Sequence, residues 1–280
     1  MLRLPDAATL FRLPVLCSIL LALGAVVALD RPRGRWGRHL RSRFVLGVPW
    51  GTFVSVFLVL VVYLFVQGGW AHWYSPVTIP FRAWSYFYPL GMATAAFAHS
   101  GAGHLIGNLV GTLVLAPIAE YAWGHYPRKR GVQTFTSPLT NPYVRAVVVF
   151  PAAVVGVGLF TALFSLGPVI GFSGVVFAFA GFALVRYPIT TVVAVAAGNA
   201  LRTLYSALRQ PTLSASAGPS YSSPWWADIA IQGHAIGLLA GFLLGAWLFR
   251  VRDDDRPSAA RVAVGVALFG VAQSLWAVYW

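Results

Sequence analysis

Residues 229–249 read IAIQGHAIGLLAGFLLGAWLF, an apolar run without a single aspartate, glutamate, lysine or arginine. An α-helix rises 1.5 Å per residue, so about 20 residues cross the hydrocarbon core of a bilayer. The run is apolar on every face, whereas a strand of a membrane barrel alternates between apolar and polar residues. The stretch therefore predicts a transmembrane helix.

Similar runs recur along the rest of the chain. Seven further candidates cover residues 13–29, 45–66, 102–124, 144–166, 172–187, 189–207 and 260–280. Of the 280 residues, 58% are hydrophobic and only 10% are charged, against about 25% charged in a typical soluble domain. This composition excludes a soluble globule and a disordered chain. We expect an all-α polytopic membrane protein with about eight helices.

The formal net charge of +13 comes from 20 basic and 7 acidic residues. The arginines lie in short segments between apolar runs, which is typical of the positive-inside rule rather than of a nucleic-acid interface. We therefore expect the lipid bilayer as a partner and no nucleic acid. Cys17 is the only cysteine, which excludes an intrachain disulfide and a cysteine metal site.

Basic segments give the chain its predicted orientation. They follow the first, third and seventh runs, at residues 30–43, 125–131 and 250–256. The first run could be a signal peptide, but cleavage would leave six arginines of residues 30–43 outside, so an uncleaved helix fits better. The third, fifth and seventh runs then all go inward, starting near the outer surface.

Several polar residues lie in these inward runs. His104 and Asn108 are four residues apart and share a helix face, while Ser173 and His234 each lie near the outer end of a run. Each alone is explained by hydrogen bonding between or within helices. A metal site is not expected, because His99 and His104 are five residues apart on different faces, without a nearby carboxylate.

Stripes of small residues follow both Ser173 and His234. They comprise Gly174, Ala178 and Gly181 in one run, and Gly237, Gly241 and Gly245 in the other. Small residues let helix backbones approach closely, so we expect a histidine nitrogen within hydrogen-bond reach of the serine hydroxyl. Such a histidine can activate a serine for attack on a carbonyl.

The oxyanion formed by that attack needs fixed donors. The Asn108 amide, the His104 ring and the Ser173 backbone N–H are the candidates. No carboxylate is placed to orient His234, since Glu120 belongs at the inner end of the third run. The pattern therefore indicates a serine–histidine dyad rather than a triad.

These motifs resemble the rhomboid intramembrane serine proteases. The resemblance covers residues 45–250 and rests on HSGAGHLIGN (99–108), Glu120, GFSG (171–174) and HAIGLLAG (234–241). It implies Ser173 as nucleophile, His234 as general base, and an oxyanion hole of His104, Asn108 and the Ser173 amide. It further implies transmembrane protein substrates cleaved near their outer ends, no cofactor, and a loop at 205–228 over the active site.

The chain departs from the family pattern at several positions. Phe177 replaces the tyrosine that stacks on the catalytic histidine, and the external loop has Trp84-Ser85 in place of Trp-Arg. Pro117 replaces a glycine and is expected to kink the third run. We expect a structural role for Glu120 and continued activity with Phe177.

The sequence thus predicts an N-terminal helix and basic cytoplasmic loop (1–44), a six-helix rhomboid-like catalytic core (45–250), and a linker with a C-terminal helix (251–280). The predicted function is serine-type intramembrane endopeptidase in a cell membrane of prokaryotic type, with the active site near the extracytoplasmic side. A non-proteolytic rhomboid-like protein that binds membrane helices is the alternative. A transporter is disfavoured, because internal symmetry with charges at midplane is not found.

Overall fold

The computed structural model describes residues 7–30, 34–126, 137–165, 168–209, 231–252 and 257–279. These residues are predominantly helical and contain no strand, only one isolated bridge between Ala83 and Val169. The helices are α1 (Ala7–Asp30), α2 (Arg35–Arg43), α3 (Trp50–Val61), α4 (Pro89–Thr94), α5 (Ala102–Trp123), α6 (Pro142–Val144), α7 (Phe150–Phe164), α8 (Ser173–Arg186), α9 (Pro188–Arg209), α10 (Ile231–Val251) and α11 (Ala259–Tyr279). Two π-helical segments, Val62–Val66 and Arg145–Val149, extend α3 and join α6 to α7.

A helix lies over every predicted apolar run. Three are long and apolar enough to cross a bilayer, namely Ala102–Trp123, Pro142–Phe164 and Gln232–Val251. The prediction of an all-helical membrane protein is thereby confirmed. The division into a six-helix core with one additional helix at each end stays a prediction.

Some element boundaries differ from the sequence prediction. The second run was expected to begin at residue 45, but α3 begins after Pro49, and Val45–Gly47 form a 3₁₀ turn. Proline lacks an amide hydrogen, which suits the residue before a helix. The basic segment expected as a loop contains α2. The loop predicted over the site covers residues 205–228. Residues 205–209 belong to the end of α9, and the rest of the loop lies outside the described residues.

The helices α8 and α10 pack backbone against backbone. A Cβ atom placed on Gly237 would lie 2.0 Å from the Gly174 carbonyl oxygen, and one on Gly241 would lie 2.0 Å from the Ala178 oxygen. A Cβ atom on Gly245 would lie 3.2 Å from the Phe182 oxygen. The contacts thus advance by four residues along both helices in the same direction, so α8 and α10 run parallel. The predicted close approach along the small residues is confirmed.

Helix α5 runs in the same direction as α8. His104 lies against Gly171, just before α8, and Gly111 lies against Val176, further along it. The N-terminal ends of α5, α8 and α10 are therefore at one end of the bundle. This agrees with the common orientation predicted for the third, fifth and seventh runs.

Glu120 joins the opposite end of α5 to the start of α3. Its buried carboxylate accepts hydrogen bonds from the backbone N–H of Gly51 (2.9 Å), the N–H and hydroxyl of Thr52 (2.7 and 2.8 Å) and Nε2 of His125 (2.8 Å). A carboxylate is stabilised by the unpaired N–H groups at a helix start. The predicted structural role of Glu120 is confirmed.

Arginines cover the C-terminal end of α5. Arg43 donates to the carbonyl oxygens of Tyr121 (3.0 Å) and Ala122 (3.1 Å), and Arg145 donates to that of Gly124 (3.1 Å). Arg252 donates to the Trp123 oxygen. Cations at a helix C-terminus complement its dipole and satisfy its last carbonyl groups.

Candidate active site

A cavity of about 360 Å³ opens between the N-terminal ends of α5, α8 and α10. Its wall includes Ser173, His234 and His104, three of the four predicted site residues. A water molecule occupies about 30 Å³ of liquid, so the cavity has room for several. The sequence-predicted residues on three separate helices therefore meet at one cavity.

Ser173 is the first residue of α8, and Gly171 determines how the chain enters that helix. Gly171 has φ +124°, a value that side-chain-bearing residues rarely adopt, and its N–H donates to the Ala95 carbonyl oxygen at 2.8 Å. A Cβ atom there would also lie 2.4 Å from Cε1 of His104. Glycine is therefore needed both for the turn and for the approach of His104.

His234 is buried and stacks on Phe177. The ring centroids are 4.4 Å apart and the planes are inclined by 14°. Phe177 lies one turn after Ser173, so the stack places the imidazole on the helix face that carries the serine. His234 Nε2 is buried and has no hydrogen-bond partner in the described part of the chain, so the expected bond to Ser173 Oγ is not formed through this atom.

His104 and Asn108 lie beside the segment that leads into Ser173. His104 Nδ1 is bonded to the Ser100 hydroxyl at 3.0 Å, whereas its Nε2 is buried and unpartnered within the described ranges. Asn108 Nδ2 is likewise unpartnered there and lies 3.4 Å from the position of a Cβ atom on Gly171. Asn108 is behind this glycine and does not line the cavity.

His99 is a structural neighbour of this group. Its backbone N–H donates to Gln67 Oε1 (2.8 Å), its carbonyl accepts from Gln67 Nε2 (2.9 Å), and its Nδ1 bonds to the Phe97 oxygen (3.1 Å). Burial, together with nearby His104, lowers the pKa of His99 to about 3. His99 therefore stays neutral at physiological pH and fixes the turn before α5.

The electrostatic environment of the cavity favours negative charge. Three helices present their N-terminal ends to it, and these ends carry partial positive charge. Arg82 contributes to the wall, and none of the described residues lining the cavity is an aspartate or glutamate. A developing oxyanion would be stabilised in this environment.

Four polar residues of the wall were not predicted from the sequence, namely Arg82, Ser100, Thr161 and Ser165. Ser100 precedes His104 by four residues, a spacing that could have revealed it as a partner. Thr161 and Ser165 come from α7 and the residue after it, and the Ser165 hydroxyl donates to the Thr161 carbonyl oxygen at 2.6 Å. Their place at the site depends on tertiary packing, for which the local sequence has no signal.

A family model described as the Rhomboid domain matches residues 85–251, which is more than half of the chain. The chain belongs to the rhomboid family. A search of the curated proteins and a search of the solved structures each found no match. The rhomboid match begins just before α4, ends with α10, and includes the residues described above at the cavity except Arg82. The resemblance recognised in the sequence motifs is thereby confirmed.

Proposed function

We propose that this rhomboid chain is an intramembrane serine endopeptidase, which hydrolyses peptide bonds in or near the transmembrane segments of other membrane proteins. The observation that carries the proposal is the shared cavity, whose wall contains a serine and two histidines. The Nε2 atom of each histidine has no hydrogen-bond partner among the described residues. The family generally acts in this way.

In the proposed reaction, His234 accepts the proton of the Ser173 hydroxyl as Oγ forms a bond to the substrate carbonyl carbon. The resulting tetrahedral intermediate collapses by breaking its C–N bond, and His234 gives the proton to the leaving amine. A water molecule from the cavity, deprotonated by His234, then hydrolyses the acyl-enzyme ester. The enzyme returns to its initial protonation state.

The oxyanion of the intermediate needs donors at a fixed place. The Ser173 backbone N–H and a His104 Nε2 that carries a proton would supply them at the cavity wall. The third predicted donor, Asn108 Nδ2, does not line the cavity and would have to reach the oxyanion past Gly171. Neutral His104 carries its proton on Nε2 when the Ser100 hydroxyl donates to Nδ1, which the 3.0 Å contact permits. Ser100 thus acts as a positioning residue that selects the useful tautomer.

His234 would be oriented by packing, without a carboxylate. Its stacking on Phe177 supports this role, because the ring fixes the plane of the imidazole while Nε2 has no hydrogen-bond partner in the described ranges. The reaction is therefore proposed to use a dyad.

The proposed topology places the cavity toward the extracytoplasmic side of a cell membrane of prokaryotic type. Arg43, Arg145 and Arg252 lie at the opposite end of α5, which the positive-inside rule assigns to the cytoplasm. Residues 45–250 would form the catalytic core, with the first and last helices added around it.

Cleavage of a labelled transmembrane substrate by purified protein in detergent tests the proposal. Ser173→Ala should abolish cleavage, while Ser165→Ala should retain it, because Ser165 lines the same cavity but bonds to the Thr161 carbonyl oxygen. Equal cleavage by the wild type and Ser173→Ala would refute the assignment of the nucleophile.

A serine-directed phosphonate probe distinguishes the alternative function. The wild type and Ser165→Ala should be labelled, and Ser173→Ala should not. A folded protein that binds membrane helices but is neither labelled nor active would be the non-proteolytic rhomboid-like protein instead.

A further inference from the structure

Helix α2 has a basic edge and an apolar edge. Successive residues of an α-helix are rotated by about 100°, so Arg35, Arg38 and Arg41 align along one side of RWGRHLRSR. Trp36 and Leu40 align on the side directly opposite. This separation is typical of a helix that lies at an interface between water and an apolar phase.

The described parts of the protein cover the apolar edge only in part. Trp36 is 45% exposed and Leu40 is 41% exposed, and α2 has no buried residue. A helix of nine residues is too short to be stable alone in water. The exposed parts of Trp36 and Leu40 are available to another surface.

The C-terminal end of α2 is attached at the level where a membrane-crossing helix ends. Arg43 donates to the carbonyl oxygens of Tyr121 and Ala122 in the last turn of α5, and its own carbonyl accepts from the His125 N–H at 3.1 Å. Nine residues extend only about 14 Å, so α2 lies close to the bilayer surface along its whole length.

We propose that α2 lies in the headgroup layer and binds anionic phospholipids. Trp36 and Leu40 would enter the acyl-chain boundary, while Arg38 and Arg41 reach the lipid phosphates on the other side of the helix. Charge complementarity supports this occupant, because residues 30–43 contain six arginines and a single acidic residue, Asp30. The inference does not depend on the proposed protease activity.

The test measures lipid selectivity of the full chain in phosphatidylcholine vesicles that contain a trace of spin-labelled phosphatidylglycerol or spin-labelled phosphatidylcholine. The wild type should immobilise the anionic probe preferentially. Arg38→Gln/Arg41→Gln should reduce this preference at least fivefold, since each arginine near the surface contributes about fivefold. Arg250→Gln/Arg261→Gln is the matched control, because it removes the same charge from exposed positions next to the cytoplasm by the proposed topology. It should reduce the preference less than the α2 variant, because these two arginines lie outside the arginine cluster of residues 30–43.

Equal losses in the two double variants, or no preference in the wild type, would overturn the proposal. A fluorophore on Leu40→Cys in a Cys17→Ser background tests the orientation of α2. It should be shielded from an aqueous quencher by lipid vesicles, unlike the same label on Arg38→Cys. Equal quenching of the two labels would show that the apolar edge is not in lipid.

Discussion

The ring of Phe177 lies nearly parallel to the imidazole of His234, with 4.4 Å between their centroids and 14° between their planes. Phe177 belongs to α8 and His234 to α10, so this contact joins the helix of the proposed nucleophile to that of the proposed base. The tyrosine hydroxyl of the family pattern takes no part in such a stack. We therefore expect the imidazole to keep this orientation without that hydroxyl.

Replacing Phe177 with leucine should lower kcat about tenfold or more, because the imidazole loses its flat support and small displacements of a reacting group are costly. Phe177→Tyr should retain near wild-type activity. Cleavage rates and Tm should be measured together, since a rate loss matched by a large loss of Tm would reflect unfolding. Wild-type kcat in Phe177→Leu would contradict the role given to the stack.

Gly241→Ala should separate α8 from α10. The new Cβ would lie 2.0 Å from the Ala178 carbonyl oxygen, a contact that requires a shift of one backbone. We expect a loss of stability of about 3 kcal/mol and a large fall in activity. Thermal unfolding in detergent and substrate cleavage would measure both.

Gly156→Ala is the control for that variant. It adds the same methyl group to a helix at a position where a Cβ atom would have no heavy atom from elsewhere in the described chain within 4 Å. Its Tm should stay unchanged or rise slightly, since alanine favours helices over glycine by up to about 1 kcal/mol. Equal effects of the two substitutions would show that the helix contact is not responsible.

Ser100→Ala should reduce kcat about tenfold while leaving KM unchanged. Without the hydroxyl at 3.0 Å, His104 Nδ1 loses the partner that favours a proton on Nε2. Ser100→Thr should restore most of the rate, because the hydroxyl is retained. A change confined to KM would indicate a role in substrate binding instead.

Glu120→Gln should destabilise the fold without changing the activity of each folded molecule. Both oxygens of Glu120 accept hydrogen bonds, so the amide NH₂ group would face donors in either orientation. We expect a cost of about 3 kcal/mol, measured by chemical denaturation.

Thr52→Ser preserves the hydroxyl donor to Glu120 and should cost about 1 kcal/mol or less. If Glu120→Gln kept wild-type stability but lost activity, a catalytic role for Glu120 would replace the structural one.

The positions of the long helices could be predicted because lipid imposes a simple requirement on them. A segment that crosses a bilayer must be apolar around its whole circumference, which is visible as a continuous run. Helix α2 was missed because its apolar edge consists of Trp36 and Leu40 alone, within a segment dominated by arginine. The π-helical segment Arg145–Val149 also has no local sequence signature.

The prediction that Ser173 and His234 lie near each other followed from the stripes of small residues. Such a stripe is a local sequence pattern, but it indicates close packing against another helix that is distant in the sequence. The participation of Thr161 and Ser165 could not be inferred in this way, because nothing in their own sequence indicates which helix they face. Ser100 could have been predicted, because it lies four residues before His104, the same spacing that separates His104 from Asn108. The hydrogen bonds around the cavity could not be predicted from the sequence, because they depend on how the helices pack in three dimensions.

The common offset of the contacts between α8 and α10 has a mechanical consequence. Carbonyl groups of one helix fit against glycines of the other at successive turns, so sliding can occur only in steps of a whole turn, about 5.4 Å. Intermediate settings would bring backbone atoms into collision. These repeated contacts, which extend to Phe182 and Gly245, thus determine how far Ser173 lies from His234. A substitution that disturbs the distant contact between Phe182 and Gly245 would therefore also displace the serine relative to the histidine.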